Sequence, residues 1–210
     1  MLSVTEGPFV PEGAALAEVE RRWSALRASN PAYFDGRFCH VLGVHRNGYG
    51  GAVVHVTDCA YRFHAVQDDT FDLGTRPLGV KGLTVRRGQL LLGKRSTSVA
   101  NYRGLWEFAP GGVVEPGRSP QATVLAELEE ETGLRPAGEP VARAIVYDPV
   151  LRCWEAVFTI NAADEPARIR TDEYDELRWC APTRLPEALS PLARQLLPLL
   201  PRSEEGNSGP

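Results

Sequence analysis

Glutamates crowd the last two turns of a helix predicted near the middle of the chain. Pro120 is typical of a first helical position and Gly133 of a helix end. Glu127, Glu130 and Glu131 lie at i, i+3 and i+4, so their side chains project from one face of this helix. Carboxylates are unfavourable there, because the C-terminal end of the helix dipole attracts cations and because like charges repel. A bound divalent cation would offset both penalties, which predicts a site for Mg²⁺ or Mn²⁺.

A glycine loop precedes this helix. The run Pro110, Gly111 and Gly112 lets the backbone come close to whatever a metal ion holds. Val124 and Leu128 supply an apolar side with which the helix can pack against a core. For an acidic helix alone, a solvated glutamate-rich surface is the alternative interpretation. The helix caps, the glycines and the glutamate spacing together favour the metal site.

The segment 112–134 resembles the Nudix box. The pattern of that box is Gly, five residues, Glu, seven residues, Arg-Glu, an aliphatic residue, any residue, Glu-Glu, any residue, Gly and an aliphatic residue. The positions that match are Gly112, Glu127, Leu128, Glu130, Glu131, Gly133 and Leu134. Two positions depart from it, because Arg118 stands in place of the loop glutamate and Ala126 in place of the arginine. Their joint absence suggests that one supporting interaction is replaced while the metal site is kept.

The resemblance implies roles for the glutamates of this helix. Glu127 and Glu131 are expected as the principal metal ligands. Glu130 is expected as a further ligand or as the group that helps to deprotonate water, and Glu127 and Glu130 are the catalytic candidates on the helix. Metal ions would neutralise a diphosphate and lower the pKa of the attacking water.

Several residues around the box are candidates to bind substrate. Arg95 and Arg103 approach the box and are expected to touch phosphate, as is Arg118 in its loop. The backbone of Gly111 and Gly112 belongs to the same predicted substrate-binding set. For Arg95 and Arg103, an ordinary exposed loop position remains an equally open interpretation, and for Arg118 a pair with Glu115 is the alternative.

A second acidic run precedes Trp179. Many Nudix proteins carry a glutamate here, on a loop that swings over the metals and serves as a base or an extra ligand. Glu173 and Glu176 both fit that spacing, and Glu173 is the preferred catalytic candidate. A solvated loop that enters a strand is the alternative interpretation.

The order of predicted elements matches the α/β class, as a Nudix-type α/β/α sandwich with a mixed sheet. We predict an N-terminal helix and antiparallel β extension over residues 1–74, the Nudix domain over 75–201 and a disordered tail over 202–210. In the extension we expect a helix at 11–29 and strands at 38–45, 52–57 and 61–66. Near the end of the chain we expect short helices at 182–189 and 191–200.

Composition narrows the class of protein. The 210 residues are 43% hydrophobic and 24% charged, which is typical of a globular chain. A net charge of −4 gives no electrostatic footprint for nucleic acid or for an anionic membrane. The N-terminus lacks a signal sequence and no apolar run could span a bilayer, so a cytoplasmic location is expected. The four scattered cysteines form no Cys-x-x-Cys pair and are expected to be buried, reduced thiols.

The resemblance implies a hydrolase that cleaves the diphosphate bond of a nucleotide-type substrate. Short segments of the extension, such as residues 30–38, resemble the UDP-glucose pyrophosphatase branch of the family. That branch splits a UDP-sugar into UMP and sugar 1-phosphate. Two alternatives stay open, a pyrophosphohydrolase of ADP-ribose, a dinucleotide or a nucleoside triphosphate, and a non-catalytic nucleotide-binding module. Homodimers are common in the family, and the sequence leaves the oligomeric state open.

Overall fold

A computed structural model describes residues 1–31, 33–163 and 167–200, and this part of the chain divides into two compact units. The first unit contains Met1–Gly79, Val113–Ser119 and Arg152–Trp154. The second contains Val80–Gly112, Pro120–Leu151 and the chain from Glu155 onward. The domain boundaries expected from the sequence stay a prediction, and the expected disordered tail lies outside the described residues.

The first unit combines a long helix with a three-stranded sheet. Its elements are β1 (Leu2–Phe9), α1 (Gly13–Ser29), β2 (Arg37–Arg46), β3 (Ala52–Ala60) and the short helix α2 (Tyr61–Ala65). Strand β3 is central, with β1 parallel on one side and β2 antiparallel on the other. The apolar stripe of α1 packs as its periodicity predicts, because Val19 and Trp23 join a buried cluster with Phe38 and Phe63.

The strand predicted at residues 61–66 is wrong, because the segment begins with helix α2. Phe63 and Val66, three residues apart, both pack into the cluster around Trp23, which a strand with its alternating faces would prevent. Asp35 supports the first turn by accepting the Arg62 backbone N–H at 2.9 Å. Strand β1 has little sequence signal, because most of its side chains are exposed and its pairing with β3 is made by the backbone.

The larger sheet lies chiefly in the second unit. Its strands are β4 (Leu78–Arg86), β5 (Gln89–Arg95), β6 (Trp106–Phe108), β7 (Gly111–Val113), β8 (Val141–Asp148), β9 (Cys153–Asn161) and β10 (Tyr174–Cys180). They run in the order β10-β5-β4-β9-β8, with β6 paired to β5 and β7 paired to β4. Helix α3 (Pro120–Thr132) connects β7 to β8, and α4 (Pro191–Leu196) with a 3-10 turn (Leu197–Leu199) follows β10.

One face of this sheet holds the apolar core against α4. Leu192 and Leu196 of α4 pack with strand residues such as Leu92 and Phe108. The helix predicted at 182–189 is wrong, because the segment forms turns and bends that end in an isolated bridge between Leu189 and Trp106. Next to this bridge, the N–H of Trp106 donates to the Ala188 carbonyl at 2.9 Å. The helix expected over 191–200 is present as α4 and its 3-10 turn.

Two predictions from composition can be compared with the structure. All four cysteines are buried and free, as predicted, and burial raises the pKa of Cys39 to about 11 and of Cys59 to about 12. Among the helices of the described ranges, none is long and apolar enough to cross a membrane. The cytoplasmic location stays a prediction.

Candidate active site

Helix α3 forms where its capping residues predict it. Pro120 is its first residue and Gly133 follows its last, with φ of 68°, a conformation that glycine adopts without strain. The Gly133 N–H donates to the Glu129 carbonyl at 2.9 Å and closes the helix end. Val124 and Leu128 are fully buried. Glu131 lies three residues after Leu128, so it borders this buried side of the helix and is itself buried.

The three predicted metal ligands have different environments. Glu131 is 2% exposed, Glu127 is half-buried and Glu130 is exposed. Within the ranges that the structure describes, no group of three or more His, Cys, Asp or Glu side chains is arranged to hold a metal ion. The trio therefore shares a helix but does not converge, as expected of like charges at this spacing. Its assignment as the ligand set stays a prediction.

The glycine loop touches two of these glutamates. The Gly111 N–H donates to Glu131 Oε2 at 3.3 Å. A Cβ at Gly112 would overlap the Glu127 carboxylate, and one at Gly111 would overlap the Lys81 ammonium group. Glycine at both positions therefore allows a close approach between the backbone and charged side chains.

Glu131 is the most unusual carboxylate of this cluster. Its Oε2 also accepts a hydrogen bond from the Tyr174 hydroxyl at 3.1 Å, whereas its buried Oε1 has no hydrogen-bond partner among the described residues. Burial, together with the charges of Glu173 and Glu127, raises the pKa of Glu131 to about 8 against the opposing effect of Lys81. A hard cation beside Oε1 would satisfy that oxygen and favour the ionised carboxylate, so the donor set fits Mg²⁺ or Mn²⁺.

Lys81 is a buried cation under the glycine loop. It is 7% exposed, and its Nζ lies 3.5 Å from Oε2 of the buried Glu107. Burial opposes its charge, but Glu107, Glu155 and Glu131 together raise the pKa of Lys81. No sequence motif includes this lysine. Its signal is a single charge within seven consecutive buried residues at the start of β4.

Glu173 lies close enough to act on Glu131, since its charge raises the pKa of that carboxylate. Its own Oε2 accepts a hydrogen bond from Arg95 Nη1 at 2.5 Å. Glu176 instead pairs with Arg178, at 2.6 Å. Of the two glutamates left open by the sequence, the structure therefore places Glu173 beside the cluster. Its catalytic role stays a prediction.

The predicted phosphate contacts are differently placed. Arg95 is largely buried and held by acidic groups, with its Nε 3.7 Å from Glu107 Oε2 in addition to the bond with Glu173. Arg103 is exposed and donates from Nε to the Val99 carbonyl at 2.6 Å. Arg118 is exposed in a turn of the first unit. Their contacts with phosphate stay predictions.

Tyr174 is a second residue that the sequence analysis does not single out. It lies within the acidic run before Trp179, yet it is 3% exposed and its ring packs directly on Gly93. Burial raises the pKa of Tyr174 well above its usual value, so the hydroxyl remains a hydrogen-bond donor. Only the period of β10, which turns Tyr174 inward, is a signal for this position in the sequence.

Comparison with known proteins adds to this geometry. A family model described as the NUDIX domain matches residues 75–200. An uncharacterized Nudix hydrolase of Pseudomonas aeruginosa is 36% identical over 96 residues, which is 45% of this chain and 56% of that relative. The CTP pyrophosphohydrolase of Escherichia coli is 35% identical over 130 residues, 58% of this chain and 86% of that relative.

Solved structures agree with the fold. The MutT NUDIX hydrolase from Burkholderia pseudomallei is 27% identical, with a TM-score of 0.54 over 60% of this chain and 98% of that one. The predicted α/β class, with a mixed sheet between helices, is therefore confirmed. The match with the Pseudomonas relative spans only about half of that protein's length.

Proposed function

From the premise that this chain belongs to the Nudix family, whose model matches residues 75–200, we propose that it is a metal-dependent pyrophosphohydrolase. Its substrate would be a nucleotide whose diphosphate bond is hydrolysed. A relative named CTP pyrophosphohydrolase supports this reaction class. Mg²⁺ or Mn²⁺ is the proposed cofactor, in keeping with a donor set made of carboxylates.

The state of Glu131 carries this proposal. A buried carboxylate with one oxygen lacking any hydrogen-bond partner is costly unless a ligand completes it. The carboxylate lies at the glycine loop, where the Gly111 N–H also points. The unsatisfied oxygen therefore supports the proposal that a cation, and with it a diphosphate, is held at Glu131.

Each residue has a proposed task in this reaction. A bound cation would neutralise the diphosphate and supply an acidified water. Glu127 and Glu131 would hold the cation, and Glu130 or Glu173 would accept the proton that the water releases. Arg95 now holds the Glu173 carboxylate. It would bind a phosphate oxygen in place of Glu173, because a guanidinium binds carboxylate and phosphate in the same way.

Two substrate classes are proposed. The first is a UDP-sugar, split into UMP and sugar 1-phosphate, which the resemblance of residues 30–38 to that branch supports. The second is a nucleoside triphosphate, which the similarity to the CTP pyrophosphohydrolase of Escherichia coli favours. Their products differ, since the second would release pyrophosphate.

Phosphorus NMR of the purified protein tests the reaction and the substrate together. UDP-glucose, CTP and ADP-ribose are each incubated with Mg²⁺ and with EDTA, beside Glu131→Gln and the matched control Glu129→Gln. Glu129 lies on the same helix and is exposed, so its variant should keep wild-type turnover. Glu131→Gln should lower turnover at least about 100-fold, because it removes an anionic oxygen from the metal site.

Each outcome has a distinct meaning. Turnover of UDP-glucose alone would support the first substrate class, and turnover of CTP alone the second. Binding of these nucleotides without any product would contradict the enzyme proposal and support the non-catalytic module. Turnover that persists in EDTA would contradict the role of the metal.

A further inference from the structure

Tyr174 connects two parts of the candidate site. Its hydroxyl donates to Glu131 Oε2 at 3.1 Å, and both side chains are buried. The adjacent residue along the chain is Glu173, whose carboxylate is held by Arg95. Tyr174 therefore contacts the helix glutamate directly and is the neighbour in sequence of the loop glutamate.

The position of the tyrosine ring is itself constrained. Gly93 lies under the ring, and a Cβ at that position would overlap three ring carbons. Tyr174 is paired with Arg95 across the two strands, and the Arg95 guanidinium lies 5.6 Å from the ring centroid. The pairing of β10 with β5 shifts register just after Tyr174, so the direction of β10 changes locally at this point.

The two oxygens of Glu131 are made unequal by this contact. Oε2 receives both the Tyr174 hydroxyl and the Gly111 N–H, while Oε1 receives neither. A carboxylate held by one oxygen presents the other in a fixed direction. Hydrogen-bonding partners of this kind are known to tune metal sites, and their loss typically lowers metal affinity or activity about 10- to 100-fold.

We propose that Tyr174 is a positioning residue of the metal site, which fixes Oε2 of Glu131 so that Oε1 faces the cation. This inference rests on the metal role that the proposed function gives to Glu131. It goes beyond that function, because it adds a residue outside the box helix. Gly93 supports this position of Tyr174, because only a glycine leaves room for the tyrosine ring.

Mn²⁺ binding to the substrate-free protein tests this proposal, followed by electron paramagnetic resonance of the unbound ion. Tyr174→Phe removes one hydroxyl and keeps the ring on Gly93, and we expect a Mn²⁺ dissociation constant about 10-fold higher or more. Tyr102→Phe is the matched control, because Tyr102 donates to Asp148 at 2.6 Å elsewhere in the same unit. It should leave the dissociation constant unchanged. Gly93→Ala, which keeps the hydroxyl but displaces the ring, should weaken Mn²⁺ binding as Tyr174→Phe does.

Turnover gives a second readout. With a hydrolysed substrate at saturating Mg²⁺, Tyr174→Phe should recover much of its kcat, whereas Glu131→Gln should not. A wild-type Mn²⁺ dissociation constant in Tyr174→Phe, with binding lost in Glu131→Gln, would overturn this inference alone. Unchanged binding in Glu131→Gln would overturn the metal role of Glu131 and this inference with it. Equal weakening in the Tyr102 and Tyr174 variants would also overturn it, because the effect would then be general to the unit.

Discussion

Two buried carboxylates of the second unit, Asp148 and Glu131, each accept a hydrogen bond from a tyrosine hydroxyl but differ in their other oxygen. Asp148 is fully buried, and its Oδ2 accepts from Tyr102 at 2.6 Å. Its Oδ1 accepts from the backbone N–H groups of Val150 and Leu151, at 2.8 and 3.2 Å. The turn that follows β8 thus satisfies this carboxylate completely.

Glu131 is left incomplete by comparison. Its two hydrogen bonds, from Tyr174 at 3.1 Å and from Gly111 at 3.3 Å, both reach Oε2. Among the described residues Oε1 has no hydrogen-bond partner, and burial raises the pKa of Glu131 to about 8. This difference indicates that a carboxylate with a structural role has both oxygens hydrogen-bonded by the protein. A carboxylate that binds a ligand instead keeps one oxygen without a hydrogen bond.

The largest expected effect concerns the satisfied carboxylate. Asp148→Asn places an amide where three donors already point, so at least one donor loses its acceptor. We expect the free energy of unfolding to fall by roughly 2–4 kcal/mol, as for a lost set of buried hydrogen bonds to a charged group. Urea denaturation in EDTA measures this change.

The matched substitution at the other carboxylate should behave oppositely. Glu131→Gln removes a buried charge with one unsatisfied oxygen, so in EDTA at pH 8 it should leave the free energy of unfolding unchanged or raise it. A decrease in the free energy of unfolding as large as that of Asp148→Asn would contradict this distinction, because Glu131 would then be a structural carboxylate.

A smaller effect is expected from pH. The pKa of Glu131 in the folded protein, about 8, is raised above its ordinary value of 4.5. Its contribution to stability is therefore complete below about pH 4.5 and is lost as the pH rises through 8. In EDTA we expect the free energy of unfolding to fall by about 2 kcal/mol between pH 6 and pH 8, since each pH unit contributes at most about 1.4 kcal/mol.

The same titration in Glu131→Gln isolates this group. The variant should lack the decrease between pH 6 and pH 8, while Glu129→Gln should retain it because Glu129 is exposed. Added Mn²⁺ should reduce the decrease in the wild type, since a cation favours the ionised carboxylate. Parallel curves for the wild type and Glu131→Gln would show that another group titrates.

Local signals account for the parts that the sequence predicts correctly. Helix α3 follows from Pro120, Gly133 and the spacing of its apolar and acidic residues, all within one segment. The error at 61–66 has a non-local cause, because Phe63 turns inward to join the buried cluster that contains Trp23, forty residues earlier in the chain. Tertiary packing of this kind overrides the local pattern.

The residues of the candidate site that lie within one segment are predictable in the same way. Box glutamates and glycines are recognisable from their spacing, but the departure at Ala126 leaves open what supports them. The structure finds Lys81 from β4 and Tyr174 from β10 around Glu131, from segments about 50 residues before it and 43 after it. No spacing rule connects strands so distant in sequence, so these two supports emerge only from the sheet order.

The smallest expected effect concerns Glu173, which has a hydrogen-bonded partner like Asp148 but a half-exposed side chain. Its side chain is 47% exposed, and exposed ion pairs contribute less than about 1 kcal/mol. Glu173→Gln should therefore change the free energy of unfolding by less than about 1 kcal/mol at pH 6 in EDTA. Glu176→Gln is the matched control, because Glu176 is similarly exposed and pairs with Arg178.

Glu173→Gln and Glu176→Gln should differ in two properties that depend on Glu131, the pH dependence of stability and the rate of hydrolysis. Because the charge of Glu173 raises the pKa of Glu131, Glu173→Gln should move the pH-dependent loss of stability to lower pH. Glu176→Gln should leave it in place, and only Glu173→Gln should slow hydrolysis. Identical pH curves and rates for the two variants would remove Glu173 from the site, since its pairing with Arg95 would then be a surface contact like that of Glu176. A shifted curve with normal hydrolysis would keep Glu173 as an electrostatic neighbour of Glu131 but exclude it as the base.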